Sequence, residues 1–262
     1  MNKRTAFITG NSSGLGLGIS QVLLNQGYQV YGCSRRGCKL QGDIVDQHCD
    51  LTRSETIPDA LEQLLNGVTT LDLVILNAGI LGEIKNISDT SLDALRQIME
   101  INLWPNKVIL DWLLKSPLNI DQILLMSSGA AVLGNKGWGG YALSKSGLNM
   151  LGRLYAHEFD ETHIAAIAPG LIESSMMDYL CSEADSDAFP ALQRIRQARE
   201  EGKTLSPSAA AERILQALPE IKGFESGSYI DLRQILAPDE YQALLEARNR
   251  TRCFRMSANE PE

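Results

Sequence analysis

The sequence predicts an α/β protein, a doubly wound parallel sheet in a single domain. Three observations carry that expectation. Short, almost wholly apolar runs recur along the chain, as strands covered on both faces require. Longer amphipathic stretches with helical spacing lie between them. No Pro/Ser-rich linker, internal repeat or low-complexity tract breaks the alternation.

The elements follow in order. TAFIT (5–9) reads as the first buried strand, and the glycine-rich TGNSSGLG (9–16) turns the chain into a helix over 15–26. YQVYGC (28–33) is the second strand. Only eleven residues, 34 to 44, lead to a weaker third strand before Asp50. That is near the lower limit for a parallel crossover, so the helix usual there is expected to be shortened or lost. A helix over 54–66, the strand LDLVIL (71–76), a helix over 90–114 and the strand QILLMS (122–127) come next. A helix over 141–160 and the strand HIAAIA (163–168) follow. Ser206 is a natural N-cap and Pro207 a first-turn residue for a helix over 207–218, before a late strand, GSYIDL (227–232).

Two stretches stand outside this alternation. Residues 171–205 hold Met176-Met177, a polar SEADSD run and a charged amphipathic segment. A connection that long in a compact domain is expected to be a lid. After Ile235 one further helix is expected, over 238–249, followed by a polar end.

The 262 residues are 44% hydrophobic, enough for a substantial core. A net charge of −8 argues against an extended nucleic-acid surface, although Arg35-Arg36 could line a local basic pocket. The five cysteines include no C-x-x-C and no zinc spacing, so free thiols in a reducing cytosol are expected and no metal. His48 and Cys49, adjacent on a strand, point to opposite faces and make a poor ligand pair. No apolar run reaches the length of a membrane span, and the apolar run after Met1 is too short for a signal peptide. A cytoplasmic protein without membrane contact is the expectation.

The TGNSSGLG stretch holds two chemistries. Gly10-Asn11-Ser12-Ser13-Gly14 fits G-x-S-x-G, which would make Ser12 a hydrolase nucleophile. That elbow needs an oxyanion loop from an earlier strand, and eight residues precede Thr9. His157 and His163 lie in plain helix and strand contexts, so a triad finds no partner there. The other reading fits better: a buried strand, glycines that let the backbone approach a ligand, and a helix N-terminus offering free N–H groups to phosphate. The first glycine gap is three residues, longer than in G-x-G-x-x-G.

The rest of the chain accounts for that gap. TGNSSGLG is followed by LNAG (76–79), INL (101–103), MSSGAA (126–131), YALSK (141–145) and APGLIES (168–174). In this order the motifs resemble the short-chain dehydrogenase/reductase family over residues 4 to 232. The resemblance implies a Rossmann-type fold and a catalytic set of Asn102, Ser128, Tyr141 and Lys145. Tyr141 and Lys145, four apart on a helix, share one face, and Ser128 lies thirteen residues before Tyr141 at a strand end. Ser127 is the rival for Ser128, and the thirteen-residue interval favours Ser128. A tyrosine of pKa near about 10 is a reluctant acid–base group at neutral pH. An ammonium about 4 Å away would stabilise its phenolate by roughly 4 kcal/mol at an effective dielectric near 20. Tyr141 is thus expected to protonate a carbonyl oxygen as hydride arrives, with Ser128 holding that oxygen. By resemblance Lys145 also binds the nicotinamide ribose, and Asn102 supports a water relay.

For the cofactor, Gly10, Ser12, Ser13, Gly14, Leu15 and Gly16 are expected to cradle the pyrophosphate. An acidic residue ending the second strand would select NAD; here Ser34 stands there, followed by Arg35 and Arg36. A small neutral residue beside arginine suits a 2′-phosphate, so NADP(H) is expected over NAD(H). The resemblance assigns Asp50 and Leu51 to the adenine, and Asn77, Ala78 and Gly79 to the adenosine side. Pro169, Gly170, Ile172 and Ser174 fall to the nicotinamide carboxamide. Leu76 departs from the family, where many members carry a second asparagine.

FESGSYIDLR (224–233) resembles the sepiapterin reductase and benzil reductase branch, which implies a ketone or dicarbonyl substrate. Leu133, Trp138, Met176, Met177 and Tyr179 are candidate substrate contacts, with Ser128 and Tyr141. The expected division is an NADP-binding catalytic domain over 1–235, its lid at about 171–205, and a helical tail over 236–262. Family members pair through the helices carrying Asn102 and Tyr141, which implies a homodimer or homotetramer. The alternative is a catalytically silent NADP(H)-binding sensor or interaction protein, against which an intact Ser128, Tyr141 and Lys145 counts.

Overall fold

The computed structural model describes residues 3–246. The described strands are β1 (Thr5–Thr9), β2 (Gln29–Ser34), β3 (Ile44–His48), β4 (Thr70–Leu71), β5 (Leu73–Leu76), β6 (Asn119–Ile120), β7 (Gln122–Met126), β8 (His163–Ala168) and β9 (Ser228–Asp231). Seven of them form one sheet, in the order β3-β2-β1-β5-β7-β8-β9, every pair parallel. The short β4 and β6 pair with each other beside it.

Helices cover both faces: α1 (Gly14–Asn25), α2 (Ile57–Leu64), α3 (Leu92–Asn102), α4 (Trp104–Lys115), α5 (Ala130–Leu133) and α6 (Gly139–Tyr155). Then come α7 (Ser175–Ser182), α8 (Pro190–Glu200), α9 (Pro207–Gln216), α10 (Leu218–Ile221) and α11 (Arg233–Leu236). Strand alternation decides which side chain meets which layer. Phe7, Val74 and Leu125 point to one face and pack on Ile57, Ile109 and Leu148 of α2, α4 and α6. Ala6, Ile8, Ile75 and Leu124 point to the other and meet Ile19 of α1 and Ile214 of α9.

Several boundaries differ from the sequence reading, each for a local reason. The helix expected over 90–114 breaks at Leu103 (φ −120°, ψ −63°), between α3 and α4. Pro105 has no N–H for the carbonyl one turn back, and its ring crowds that position. The strand expected over 71–76 is interrupted at Asp72, whose carboxylate accepts hydrogen bonds from the Thr5 N–H (2.6 Å) and hydroxyl (3.0 Å). The helix expected over 141–160 starts two residues earlier, at Gly139, and ends at Tyr155. No helix forms between β2 and β3, as the short link implied, and β3 is the edge of the sheet. The 171–205 segment folds into α7 and α8, with its base closed by the Ile172–Leu205 bridge. The tail is helical over 238–246, and the rest of the expected 238–249 helix lies outside the described residues. Among the described residues no helix is long and apolar enough to cross a membrane.

Candidate active site

The chain leaves β1 toward β2 and β3 on one side and resumes at β5 on the other, so the strand order switches beside β1. Ligands of open parallel sheets bind at such a switch, beyond the C-terminal strand ends. A cleft of about 1890 Å³ opens there, walled by residues that follow β1, β2, β5, β7 and β8.

The glycine loop forms its floor. Gly10 adopts φ +74°, and a Cβ there would lie 2.9 Å from the Ala78 Cα. A Cβ on Gly16 would lie 2.2 Å from the Gly10 carbonyl oxygen, so α1 packs straight onto the loop. Thr9 Oγ1 accepts from the N–H groups of Asn77 (3.0 Å) and Ala78 (3.1 Å), and Asn77 Nδ2 donates to the Thr9 carbonyl (3.1 Å). Ser13 opens α1 without a side-chain cap, and no acidic residue occupies the first turn. By contrast Ser91, Ser174 and Ser206 cap α3, α7 and α9. The first N–H groups of α1 are therefore left for an anion. Ser34 Oγ is buried on the cleft wall without a partner, and Arg36 reaches across to donate to Ser13 Oγ at 2.7 Å. An uncapped helix, an orphaned hydroxyl and two arginines are a donor set that fits a phosphate-bearing dinucleotide.

Every residue expected to touch the cofactor lines this cleft except Asp50. Asp50 turns back on its own DLT segment, where the Thr52 N–H (3.1 Å) and hydroxyl (2.8 Å) donate to its carboxylate. Those bonds hold its pKa below the usual carboxylate range. Its neighbours Cys49, Leu51 and Thr52 face the cleft instead.

At the other end stand Ser128, Tyr141 and Lys145. Burial pushes the Tyr141 hydroxyl up in pKa, and a side-chain hydrogen bond from Ser128 opposes it. Ser127 also lines the cleft, but its hydroxyl is committed, donating to Asn149 Oδ1 at 2.5 Å. Lys145 is 4% exposed, donates to the Met126 carbonyl at 2.7 Å, and sits 5.7 Å from the Tyr141 ring centroid. Burial brings its pKa down to about 8. The expected lowering of the tyrosine by the lysine is thus not what shifts Tyr141: burial raises it, and Ser128 is the group that opposes the rise. Asn102 lies behind the wall, fully buried, rather than in the cleft. Its Nδ2 donates to the Ile80 carbonyl (2.8 Å) and Ser144 Oγ (2.9 Å), and its Oδ1 accepts from the Ile80 N–H (2.8 Å). Both amide hydrogens are spent, so Asn102 ties α3 to α6. Ser144 extends that tie to the Tyr141 carbonyl at 2.8 Å.

The sequence profile of the family described as short chain dehydrogenase matches residues 4–185. The chain belongs to the short-chain dehydrogenase/reductase family. A Bacillus subtilis benzil reductase ((S)-benzoin forming) is 30% identical over 241 residues, 87% of this chain and 98% of that enzyme. The Bacillus cereus benzil reductase is 28% identical, with the same two coverages. The crystal structure of the Saccharomyces cerevisiae short-chain dehydrogenase/reductase YIR035C superposes with a TM-score of 0.78, covering 87% of this chain and 96% of that one. At 21% identity that likeness speaks for the fold.

In this short-chain dehydrogenase/reductase the 171–205 segment borders the end of the cleft that holds Ser128, Tyr141 and Lys145. Leu133, Trp138, Met176 and Met177 line the cleft there. Tyr179 does not: its hydroxyl accepts from the Ile84 N–H at 3.1 Å, docking α7 on the loop after β5. The sequence reading missed Ala191, Arg194, Ile195 and Ala198, which present one face of α8 to the cleft. Their i, i+3, i+4, i+7 spacing was visible, but nothing in a charged helix said which face looks inward. It also missed Glu240 and Leu244, through which the tail helix joins the cleft wall.

Proposed function

We propose that this oxidoreductase is an NADP(H)-dependent carbonyl reductase acting on ketones or dicarbonyls, with Tyr141 as the acid. The observation that carries the reading is Ser128, Tyr141 and Lys145 brought together on the wall of a phosphate-fitting cleft, with the Lys145 ammonium 5.7 Å from the Tyr141 ring centroid. Bound along the glycine loop, the dinucleotide supplies hydride. Burial keeps the Tyr141 phenol protonated at neutral pH, the form a proton donor needs. Tyr141 gives that proton to the substrate carbonyl oxygen, while Ser128 donates a hydrogen bond to the same atom. The Lys145 ammonium, 5.7 Å from the Tyr141 ring centroid, favours the phenolate left behind.

Ser34 with Arg35 and Arg36 supports NADP(H) over NAD(H), since no carboxylate stands at the end of β2. The relatives named benzil reductase support a dicarbonyl substrate, and the apolar wall of Leu133, Trp138, Met176 and Met177 suits an aryl or alkyl one. Leu143, Met150 and Leu154 form an exposed apolar stripe on α6, with Trp104 exposed on α4. That stripe supports pairing of two copies through these helices. The free thiols among the described residues fit a reducing, cytosolic setting.

The test is NADPH oxidation with 1,2-diketones, a quinone and simple aldehydes, beside NADH and the Tyr141→Phe variant. The expected result is turnover preferring NADPH, lowered by about a hundredfold or more in the variant with nucleotide binding intact. Equal rates in the two proteins would remove Tyr141 from the chemistry. Nucleotide binding without turnover by either protein would favour a sensor.

A further inference from the structure

We propose that Asp46 is a positioning residue for cofactor selection: its carboxylate ties the arginine loop after β2 to the glycine loop after β1. The inference rests on the NADP(H) reading above. The loop over 35–43 has no helix and runs to an edge strand, so nothing in the usual architecture fixes Arg35 and Arg36. The support comes from β3.

Gly32 of β2 stands in register with Asp46 of β3. Where a Cβ on Gly32 would be, Asn11 Nδ2 already lies, 2.0 Å from that position. The missing side chain lets the fully buried Asn11 cross over β2 from the glycine loop. Its Nδ2 donates to Asp46 Oδ1 at 2.6 Å. The second carboxylate oxygen accepts from the Cys38 N–H in the arginine loop at 2.8 Å. Between them Gly37, at φ +73°, brings the loop so close that a Cβ would lie 3.3 Å from Asp46 Oδ2 and 2.9 Å from His48 Nε2. Arg36 closes the circuit by donating to Ser13. One carboxylate thus holds both loops that enclose the 2′-phosphate subsite, and it does so without lining the cleft itself. Such preorganisation raises affinity by removing the ordering cost of the loop.

Asparagine at 46 has one acceptor oxygen, so one of the two donors would face an N–H₂ group. Removing a negative charge near a phosphate should, by charge alone, tighten binding of that phosphate. The tie predicts the opposite sign, which separates the two effects.

The experiment is calorimetric binding of 2′,5′-ADP and of 5′-ADP to the wild type, Asp46→Asn and Asn11→Ser, with steady-state kinetics and thermal unfolding alongside. Asp46→Asn is expected to lose about tenfold in 2′,5′-ADP affinity, the worth of one charge-assisted hydrogen bond. Its 5′-ADP affinity should change by less than about twofold on the same scale, with kcat at saturating NADPH retained. Asn11→Ser, too short to reach β3, should move in the same direction. A wild type that binds both nucleotides equally overturns the NADP(H) reading and the proposal with it. A wild-type preference for 2′,5′-ADP that persists in both variants overturns the tie alone. An equal loss for both nucleotides, or a variant that no longer folds, would make Asp46 a structural residue of the sheet edge and equally overturn it.

Discussion

Lys145→Met should make the protein more stable at neutral pH while abolishing its chemistry. The lysine is 4% exposed and its ammonium is desolvated, which lowers its pKa from 10.5 to about 8. Each pKa unit is about 1.4 kcal/mol, so below pH 8 the folded state carries a burial cost of about 3 kcal/mol. Methionine fills a similar volume without the charge, but it gives up the bond to the Met126 carbonyl, worth about 1–2 kcal/mol. The net gain at pH 7 is about 1–2 kcal/mol, or about 2–8 °C in Tm for a chain of this size. The gain has a pH signature. Between pH 8 and 10.5 the folded protein releases the Lys145 proton while the unfolded chain keeps it, so wild-type stability climbs through that window. The variant has no such titration, and its advantage should be lost by pH 10.5. Paired thermal unfolding at pH 7, 8, 9 and 10 reads the difference, in which all other titrations cancel. A variant that melts below the wild type at pH 7, with a gap constant to pH 10, would refute the reasoning.

Further outcomes follow from the same contacts. Gly16→Ala puts a Cβ 2.2 Å from the Gly10 carbonyl oxygen and should cost about 1–3 kcal/mol, seen in the denaturant midpoint, together with nucleotide affinity seen by calorimetry. Unchanged binding would mean that the helix and loop separate freely. Asn102→Ala strands the Ile80 N–H and carbonyl beside a fully buried position, while the Ser144 hydroxyl keeps its bond to the Tyr141 carbonyl. At about 1–3 kcal/mol for each unsatisfied group, it should destabilise by about 2 kcal/mol or more in urea unfolding, whereas a loss under about 1 kcal/mol would mean that water reaches the spot. Arg199 joins Glu173 and Asp178 across the lid at 2.7 Å each. Arg199→Met should raise KM with kcat largely kept and speed protease cleavage within 171–205; unchanged cleavage would show that apolar packing alone holds the lid.

Much of this protein was legible in its sequence because local patterns suffice for it. Apolar strand runs determined seven parallel strands, since buried parallel strands admit little else. The spacing of Ser128, Tyr141 and Lys145 placed them at one strand end and on one helix face. The break at Leu103 could have been read from Pro105, whereas the interruption at Asp72 depends on a bond to β1. Other features exist only when distant segments meet. Asp50 faces Thr52 rather than the cleft, because the turn offered its carboxylate two donors first. Tyr141 is shifted upward because burial, which no spacing reveals, outweighs the opposing hydrogen bond of Ser128. The inward face of α8 and the contact of the tail helix with the cleft depend on how the lid docks. Chain chemistry alone thus determined the elements and the grouping of Ser128, Tyr141 and Lys145. Tertiary packing decided which side chains face the cavity and how strongly each holds its proton, because both depend on neighbours far apart in sequence.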